Sequence, residues 1–300
     1  MEVAPVQQAT VRVVDPVTSS QWAEVVANLP STLFHSPLWM GVLQNTYQFP
    51  VSACVVEEGG QPVGGVPWSD IEDIMGVRRV TLPFSDFCDI LAQRPEHARA
   101  LAQYVVETRQ PWMLRCLARN LPVIETPVVS SALFKWQTID LTPDISQIWS
   151  RLSPTTRWGV RKAERSGIEV RIGDSKQQLR QWYMLHLRLR KAKYGLLAQP
   201  YAFFESIWST FIEKGQGCLL LAAYQGRLIG GVVFIFWKDA CYYKFSASDT
   251  EYLHLKPNNL LLWRGIQEAK ERGFRLLDLG RSPVGQSGLI AYKKAFGASA

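Results

Sequence analysis

The chain has 300 residues, 47% of them hydrophobic and 20% charged, and a formal net charge of +7, which describes a globular protein with a proper core and room for two domains. The five cysteines and four histidines are scattered with neither Cys-x-x-Cys pairs nor metal-ligand spacing, which excludes a disulfide frame or a zinc site and leaves reduced core thiols. The opening MEVAPVQQATVRVVDP has no basic n-region or apolar h-region, so it is not a signal peptide, and the most apolar stretch, 228–237, is too short to span a bilayer.

In chain order, 53–68 reads as a strand, a Gly turn and a second strand carrying Gly64-Gly65-Val66. A helix is predicted over 96–109 and an apolar strand over 112–117. Turn chemistry in LTPD places a domain boundary near 140–144, giving domains 1–143 and 144–300. A basic helix covers 157–165, followed by helices over 176–193 and 201–214, with Gly195 and Pro200 punctuating the link. Strands fit 218–224, 228–237 and 241–248, joined by QGR and KDA turns into an antiparallel meander. A helix over 258–272, stopped by Gly273, leads to a strand over 274–279 and a last helix. Gly230-Gly231-Val232 repeats Gly64-Gly65-Val66 at an offset of 166 residues, and the helix and strand that follow correspond as well. The chain therefore reads as two copies of one α/β unit.

Charge is concentrated. Residues 151–193 hold twelve Lys or Arg against three acids, a local +9 that exceeds the total for the whole chain. Such a field attracts phosphates of a nucleotide, a nucleic acid or an anionic lipid. Within TTRWGVRKAERSG, Arg157, Arg161 and Arg165 share one helix face with Lys162 at its flank. On the strand over 241–248, Tyr243 and Ser246 are grouped on one polar face with Cys241 and Ser248, with Lys244 and Ala247 facing away.

The order helix, helix, three strands, helix, strand, helix is that of the GNAT acyltransferase fold. The phrases FHSPLW, LPFSD, TRWGVRKAERSGIEV, YYKFSAS, PNNLLLWRGIQEAKERG and DLGRS…GLIAYKKAFG run over nearly the whole chain. Together they resemble the Fem-type proteins, which carry two GNAT-like domains in tandem. They are most similar to the FemAB-related members of bacterial envelope and exopolysaccharide loci, and the long coiled-coil arm of the bridge-forming members is missing. The resemblance implies an α/β fold of two tandem GNAT-like domains, with mixed, mainly antiparallel sheets flanked by helices. It also implies transfer of an acyl or aminoacyl group to an amine of a peptidoglycan or other envelope polysaccharide precursor. No tightly bound cofactor is expected; the donor, aminoacyl-tRNA or acyl-CoA, is a co-substrate. The expected partners are a nucleotide- or lipid-linked precursor, with tRNA and the inner membrane face as further candidates, and the expected location is cytoplasmic.

By the same resemblance, Arg157, Arg161 and Lys162 face precursor phosphates, a role suited to the guanidinium fork. Lys293, in AYKKAFG, stabilises the oxyanion at the attacked carbonyl or contacts the donor's phosphates. Asp86 orients or deprotonates the acceptor amine, and partial burial is expected to raise its pKa. Tyr243, Ser246 and Ser248 line the donor pocket on the central strand, Arg281 stands at a strand end facing the site, and Trp39 of FHSPLW is assigned to substrate. Catalysis is expected in the cleft beside the second domain.

Two departures stand out. Acetyl-CoA-dependent members place a Gly-rich turn before the helix that follows the fourth strand, where backbone N–H groups hold a pyrophosphate. Here that place reads YLHLKPNNLL, with no glycine, leaving Lys256, Asn258 and Asn259 as the candidate phosphate ligands. Relatives also continue past the Phe-Lys-x-x-Phe-Gly position into another strand, whereas this sequence ends at Ala300, so the second sheet is expected to lack its last strand. Alternative readings are a GNAT acetyltransferase using acyl-CoA on an amino sugar, and a degenerate basic protein that binds polyanions.

Overall fold

The structure, a computed structural model, describes residues 10–74, 76–108, 110–117 and 129–300. The first nine residues and the expected helix end at Arg109 lie outside the described residues. The chain forms two compact units, Met1–Ser131 and Ala132–Ala300.

The first unit contains β1 (Thr10–Val14), α1 (Ser20–Asn28), α2 (Pro37–Tyr47), β2 (Val51–Glu58), β3 (Gln61–Asp73), β4 (Gly76–Val80), β5 (Leu91–Ala92), α3 (Pro95–Glu107) and β6 (Trp112–Met113). Its sheet runs β1-β2-β3-β4-β6, with β5 paired to β3. The β2–β3 hairpin turns on Gly59 and Gly60, both at positive φ (60° and 78°), the geometry a tight two-residue hairpin loop requires. Pairing is antiparallel from β1 to β4, and β6 returns parallel to β4 after α3.

The second unit begins with β7 (Phe134–Asp140), α4 (Ile145–Arg151), α5 (Pro154–Arg165), β8 (Glu169–Ile172), α6 (Lys176–Tyr194) and α7 (Tyr201–Ile207), which passes into a π-helical turn, Trp208–Ile212. It continues with β9 (Gly217–Tyr224), β10 (Arg227–Trp237), β11 (Ala240–Ser248), a 3-10 turn at Thr250–Leu255, α8 (Pro257–Glu271), β12 (Leu276–Pro283) and α9 (Ser287–Ala295). The sheet order is β7-β12-β11-β10-β9-β8, and only β11 and β12 are parallel. The β9-β10-β11-α8-β12 series thus repeats β2-β3-β4-α3-β6 of the first unit, including the single parallel return.

Local signals set the helix limits. Ser153 accepts from Thr156 N and Pro154 opens α5; Ser175 caps α6, which stops at Gly195 in the left-handed region. One face of the second sheet packs on α5 and α8 through Val160, Ala163, Leu260, Leu261 and Ile266, all buried. The other face carries Trp182, Phe203 and Phe204 of α6 and α7, with Phe245 of β11 5.1 Å edge-on to Phe204. Each such fully buried side chain contributes about 1.5–3 kcal/mol by leaving water.

The units divide before β7, not at 143/144, because β7 pairs antiparallel with β12 and so belongs to the second sheet. This strand supplies the outer neighbour of β12, so that flank is not left as an open edge. The chain end adds to it: Ser299 exchanges two backbone hydrogen bonds of 2.9 Å with Thr138 of β7. Among the described residues, no helix is long and apolar enough to cross a membrane.

Candidate active site

The central feature of the second unit is the parting of its two parallel strands. β11 and β12 pair only over Ala240–Tyr242 and Leu276–Asp278, while β11 runs on to Ser248 and β12 to Pro283. Both strands are bent at the point of parting. In β11, Phe234 of the neighbouring strand faces Tyr243 but Val233 faces Phe245, so Lys244 is an extra residue in a bulge. In β12, Gly280 takes φ of 69° and its N–H donates to the Asp278 carboxylate at 2.6 Å, and the register with β7 shifts between Asp278 and Arg281. The result is a wedge whose facing strand edges do not satisfy one another's N–H and C=O groups.

The bulge also decides which side chains line the wedge. Strict alternation would put Tyr243 and Ser246 on opposite faces. With Lys244 bulged, Cys241, Tyr243, Ser246 and Ser248 all oppose residues of one β10 face, Phe236, Phe234, Val232 and Gly230. That face looks toward α8, since a Cβ on Gly230 would meet Leu261. Ala247 points toward α6, as expected.

Several polar groups converge on the α8 side. Tyr243 packs edge-on against Phe234, 5.6 Å between ring centroids. The Ser248 hydroxyl donates to Asn258 Oδ1, and the Tyr292 hydroxyl of α9 donates to Asn258 O at 3.3 Å. Burial, reinforced by the Tyr243 phenol, holds the Tyr292 pKa well above its ordinary 10.0. Lys293 is buried at 6% exposure, and its ammonium donates to Gly280 O at 2.9 Å and Arg281 O at 3.3 Å. The Lys293 Nζ is therefore fixed on the widened turn of β12. Arg281 stacks its guanidinium on Phe134, 4.3 Å from the ring centroid. Buried Gln137 of β7 ties the two elements beside it, donating to Ile290 O of α9 at 3.2 Å and accepting from Ser282 of β12 at 3.4 Å.

The basic helix forms as read, but its side chains have different destinations. Arg157 donates to Ser150 O at 2.9 Å and Leu152 O at 2.6 Å, satisfying the end of α4 instead of presenting its fork to a phosphate. Arg161 is exposed, lies over Trp149 at 5.5 Å, and borders a groove of about 390 Å³ with Glu164, Trp263 and Gln267. Lys162 lies over Trp158 at 5.2 Å.

At the start of α8, Lys256 adopts φ of 64° as the N-cap. Pro257 has no N–H, and the amides of Lys256 and Asn259 bond to Leu253 O and Lys256 O at 3.1 Å each. The first turn therefore presents no row of amides to a pyrophosphate. Asn259 is not a free ligand: its amide packs on Gly159 of α5, where a Cβ would come within 2.8 Å of Nδ2. A side chain at 159 would have to displace the Asn259 amide.

Two expected residues lie in the first unit. Trp39 is fully buried, 5.7 Å edge-on to Phe34, and so is a core side chain with no surface for substrate. Asp86 is half-buried in a loop where Leu82 and Phe84 both take positive φ, 54° and 59°. Arg115 clamps that loop by donating to Leu82 O at 2.9 Å and Ser85 O at 3.1 Å. Strained non-glycine backbone of this kind persists only where its surroundings enforce it. Among the described residues, no group of three or more His, Cys, Asp or Glu side chains converges as a metal set would.

A family model described as an acetyltransferase (GNAT) domain matches residues 151–294. The second unit is a GNAT domain. Its parted parallel strands are the GNAT wedge, and the chain is an acyltransferase by class. Solved structures extend the likeness over both units. FemX aligns with a TM-score of 0.69 at 14% identity, covering 96% of this chain and 94% of that one. A tandem GNAT protein from the clavulanic acid biosynthesis pathway gives 0.57 at 14%, covering 97% and 95%. The C-terminal domain of an Agrobacterium fabrum protein described as a lysylphosphatidylglycerol synthetase gives 0.61 at 12%, covering 93% and 88%. The fold is thus that of a tandem GNAT protein of Fem type. A search of curated proteins found no significant match.

Sequence reasoning offered Asn258 as a phosphate ligand and not as the anchor of the α8 seam, where Ser248 and Tyr292 bond to it, and it passed over Gln137 altogether. Asn258 had a local signal, a polar residue at the second position of a helix opened by Pro257. Gln137 had none, since its partners come from the other end of the chain.

Proposed function

We propose that the protein transfers an acyl or aminoacyl group to an amine of a cell-envelope precursor, peptidoglycan or another polysaccharide. The observation that carries this reading is the buried Lys293 ammonium fixed on β12 where the wedge opens. In the reaction the amine nitrogen attacks the donor carbonyl, its oxygen becomes an oxyanion, and the donor's leaving group departs as the amide forms. The amine gives up a proton and the leaving group takes one up. A cation held in place before the reaction stabilises the oxyanion without reorganisation. The opened edges of β11 and β12 offer backbone groups that would align an extended donor, which supports catalysis by positioning. Tyr243 is proposed to contact the reacting group, and Arg161 with its groove to take an anionic part of the precursor.

The first turn of α8 weighs against acyl-CoA and so supports an aminoacyl donor, because Pro257 has no amide and the Asn259 amide is already bonded to Lys256 O where a row of amides would hold a CoA pyrophosphate. Acyl-CoA remains the second reading on one observation: Lys256 stands at the N-cap, where its ammonium could replace those amides.

A thermal-shift titration with coenzyme A thioesters and, separately, a UDP-linked muropeptide tests both. Stabilisation by the muropeptide alone, followed by turnover with charged tRNA, is the expected result. Stabilisation by the thioester, with turnover on an amino sugar, would replace the aminoacyl reading by the second. Binding of neither, with steeply salt-dependent retention of polyanions, would remove both.

A further inference from the structure

From Ser175 to Phe204 the chain carries six Lys or Arg and no Asp or Glu. Much of this stretch is α6, which buries Leu179, Trp182, Leu185 and His186 against the sheet. At helical spacing on its outer side stand Arg180, Met184, Leu187, Arg188 and Lys191, all exposed. Past Gly195, Leu196 and Leu197 are 52% and 94% exposed. They are not left out by slack in the loop. Leu196 N bonds to Arg190 O at 3.1 Å, Arg190 donates to Leu197 O at 3.4 Å, and Tyr183 donates to Gln199 O at 3.0 Å. The loop is fastened with its two leucines turned outward.

We propose that this face of α6 and the 196–197 tip docks the protein on an anionic lipid surface. Four apolar side chains, Met184, Leu187, Leu196 and Leu197, would enter the headgroup boundary, while Arg180, Arg188 and Lys191 meet lipid phosphates. The pattern selects this occupant. A second copy of the chain would bring like charges together, and a nucleic acid would use the cations but give the leucines nothing to bury against. Arg188 and Lys191 also rim a cavity of about 700 Å³ lined by Leu185, Leu189, Arg227 and Ser248. Docking would bring its mouth to the headgroups. The proposal stands independently of the donor and acceptor assigned above.

Co-sedimentation of the full chain with vesicles tests it, comparing pure phosphatidylcholine with a mixture containing one-third phosphatidylglycerol, at low and high salt. The protein is expected to sediment with the anionic vesicles at low salt, to be released at high salt, and to ignore the neutral ones. Leu196→Ser with Leu197→Ser, and separately Arg188→Gln with Lys191→Gln, should each cut the bound fraction about fivefold or more with unchanged thermal melting. No binding to anionic vesicles, or equal binding by the leucine variant, would overturn the proposal. So would sedimentation velocity showing that wild type self-associates through these leucines and the variant does not.

Discussion

Trp182 of α6 lies where a side chain on Gly231 of β10 would be: a Cβ there would stand 2.6 Å from the indole Cδ1. The first unit repeats the arrangement, with a Cβ on Gly65 of β3 2.8 Å from Trp22 of α1. The glycine just before each faces the opposite side, toward Leu101 of α3 at 3.4 Å or Leu261 of α8 at 3.2 Å. The Gly-Gly pairs are therefore not turn residues. They thin the middle strand on both faces so that a helix can close on each side of the sheet.

Gly231→Ala should consequently destabilise the protein by about 1–3 kcal/mol through overpacking against an indole that is itself fully buried. Gly41→Ala in α2 is the control, because nothing lies within 4 Å of a Cβ there. It should stabilise by about 0.5–1 kcal/mol. Urea unfolding of the two variants measures the contrast, and equal midpoints would remove the packing explanation for the repeat.

What the sequence showed follows from range. Hairpins, helix caps and the Gly-Gly repeat are local, and they were legible. The lining of the wedge was only half legible: Tyr243 and Ser246 were grouped on one face, but strict alternation does not put them there. The Lys244 bulge does, and nothing in YYKFSAS announces it. Arg157 has the right spacing for a phosphate-facing row, yet the turn after α4 places carbonyls within its reach first. The strand over 134–140 falls on the first-domain side of the expected boundary because its partner, β12, lies near the other end of the chain. Trp39 stood in a phrase that carried the resemblance, but its neighbours enclose it.

Arg157 and Arg161 should separate cleanly on mutation. Arg157→Ala leaves two carbonyls at the end of α4 without their charged donor, and is expected to cost about 1.5–3 kcal/mol in stability. Arg161→Ala removes an exposed side chain over Trp149 and should leave stability within about 0.5 kcal/mol. Its effect should appear as a raised KM for the anionic acceptor. Thermal melts and steady-state kinetics on both variants check this, and the opposite pattern would return Arg157 to the phosphate-binding role.

Lys293→Met keeps most of the side-chain volume and removes the charge. If the ammonium stabilises an oxyanion, kcat should fall about 10²–10³-fold with KM little changed. If Lys293 only ties α9 to β12 through Gly280 O and Arg281 O, the variant should lose stability and keep its turnover number. Single-turnover rates measured alongside melting temperatures distinguish the two, and full activity in a folded variant would end the oxyanion assignment.

His186 should give the protein an acid-sensitive step of its own. The ring is 4% exposed, stacked on Trp182 at 5.4 Å and edge-on to Phe204 at 5.0 Å, with Nε2 3.1 Å from Gln199 Oε1. Burial lowers its pKa from the ordinary 6.5; the bond to Gln199 opposes this and the nearby Arg190 charge adds to it. The folded state therefore holds the neutral ring at pH values where the unfolded chain is already taking up a proton. Stability should be full above 6.5 and decline as pH falls from there toward the lowered folded value, below which this contribution is spent. His186→Phe should flatten that segment of the stability curve. The lowered Asp140 pKa, held down mainly by Thr142, acts in a separate window, below its ordinary 3.8. Urea midpoints taken from neutral pH down to about pH 5 for wild type and variant test the sign, and an identical slope in both would place the acid sensitivity elsewhere.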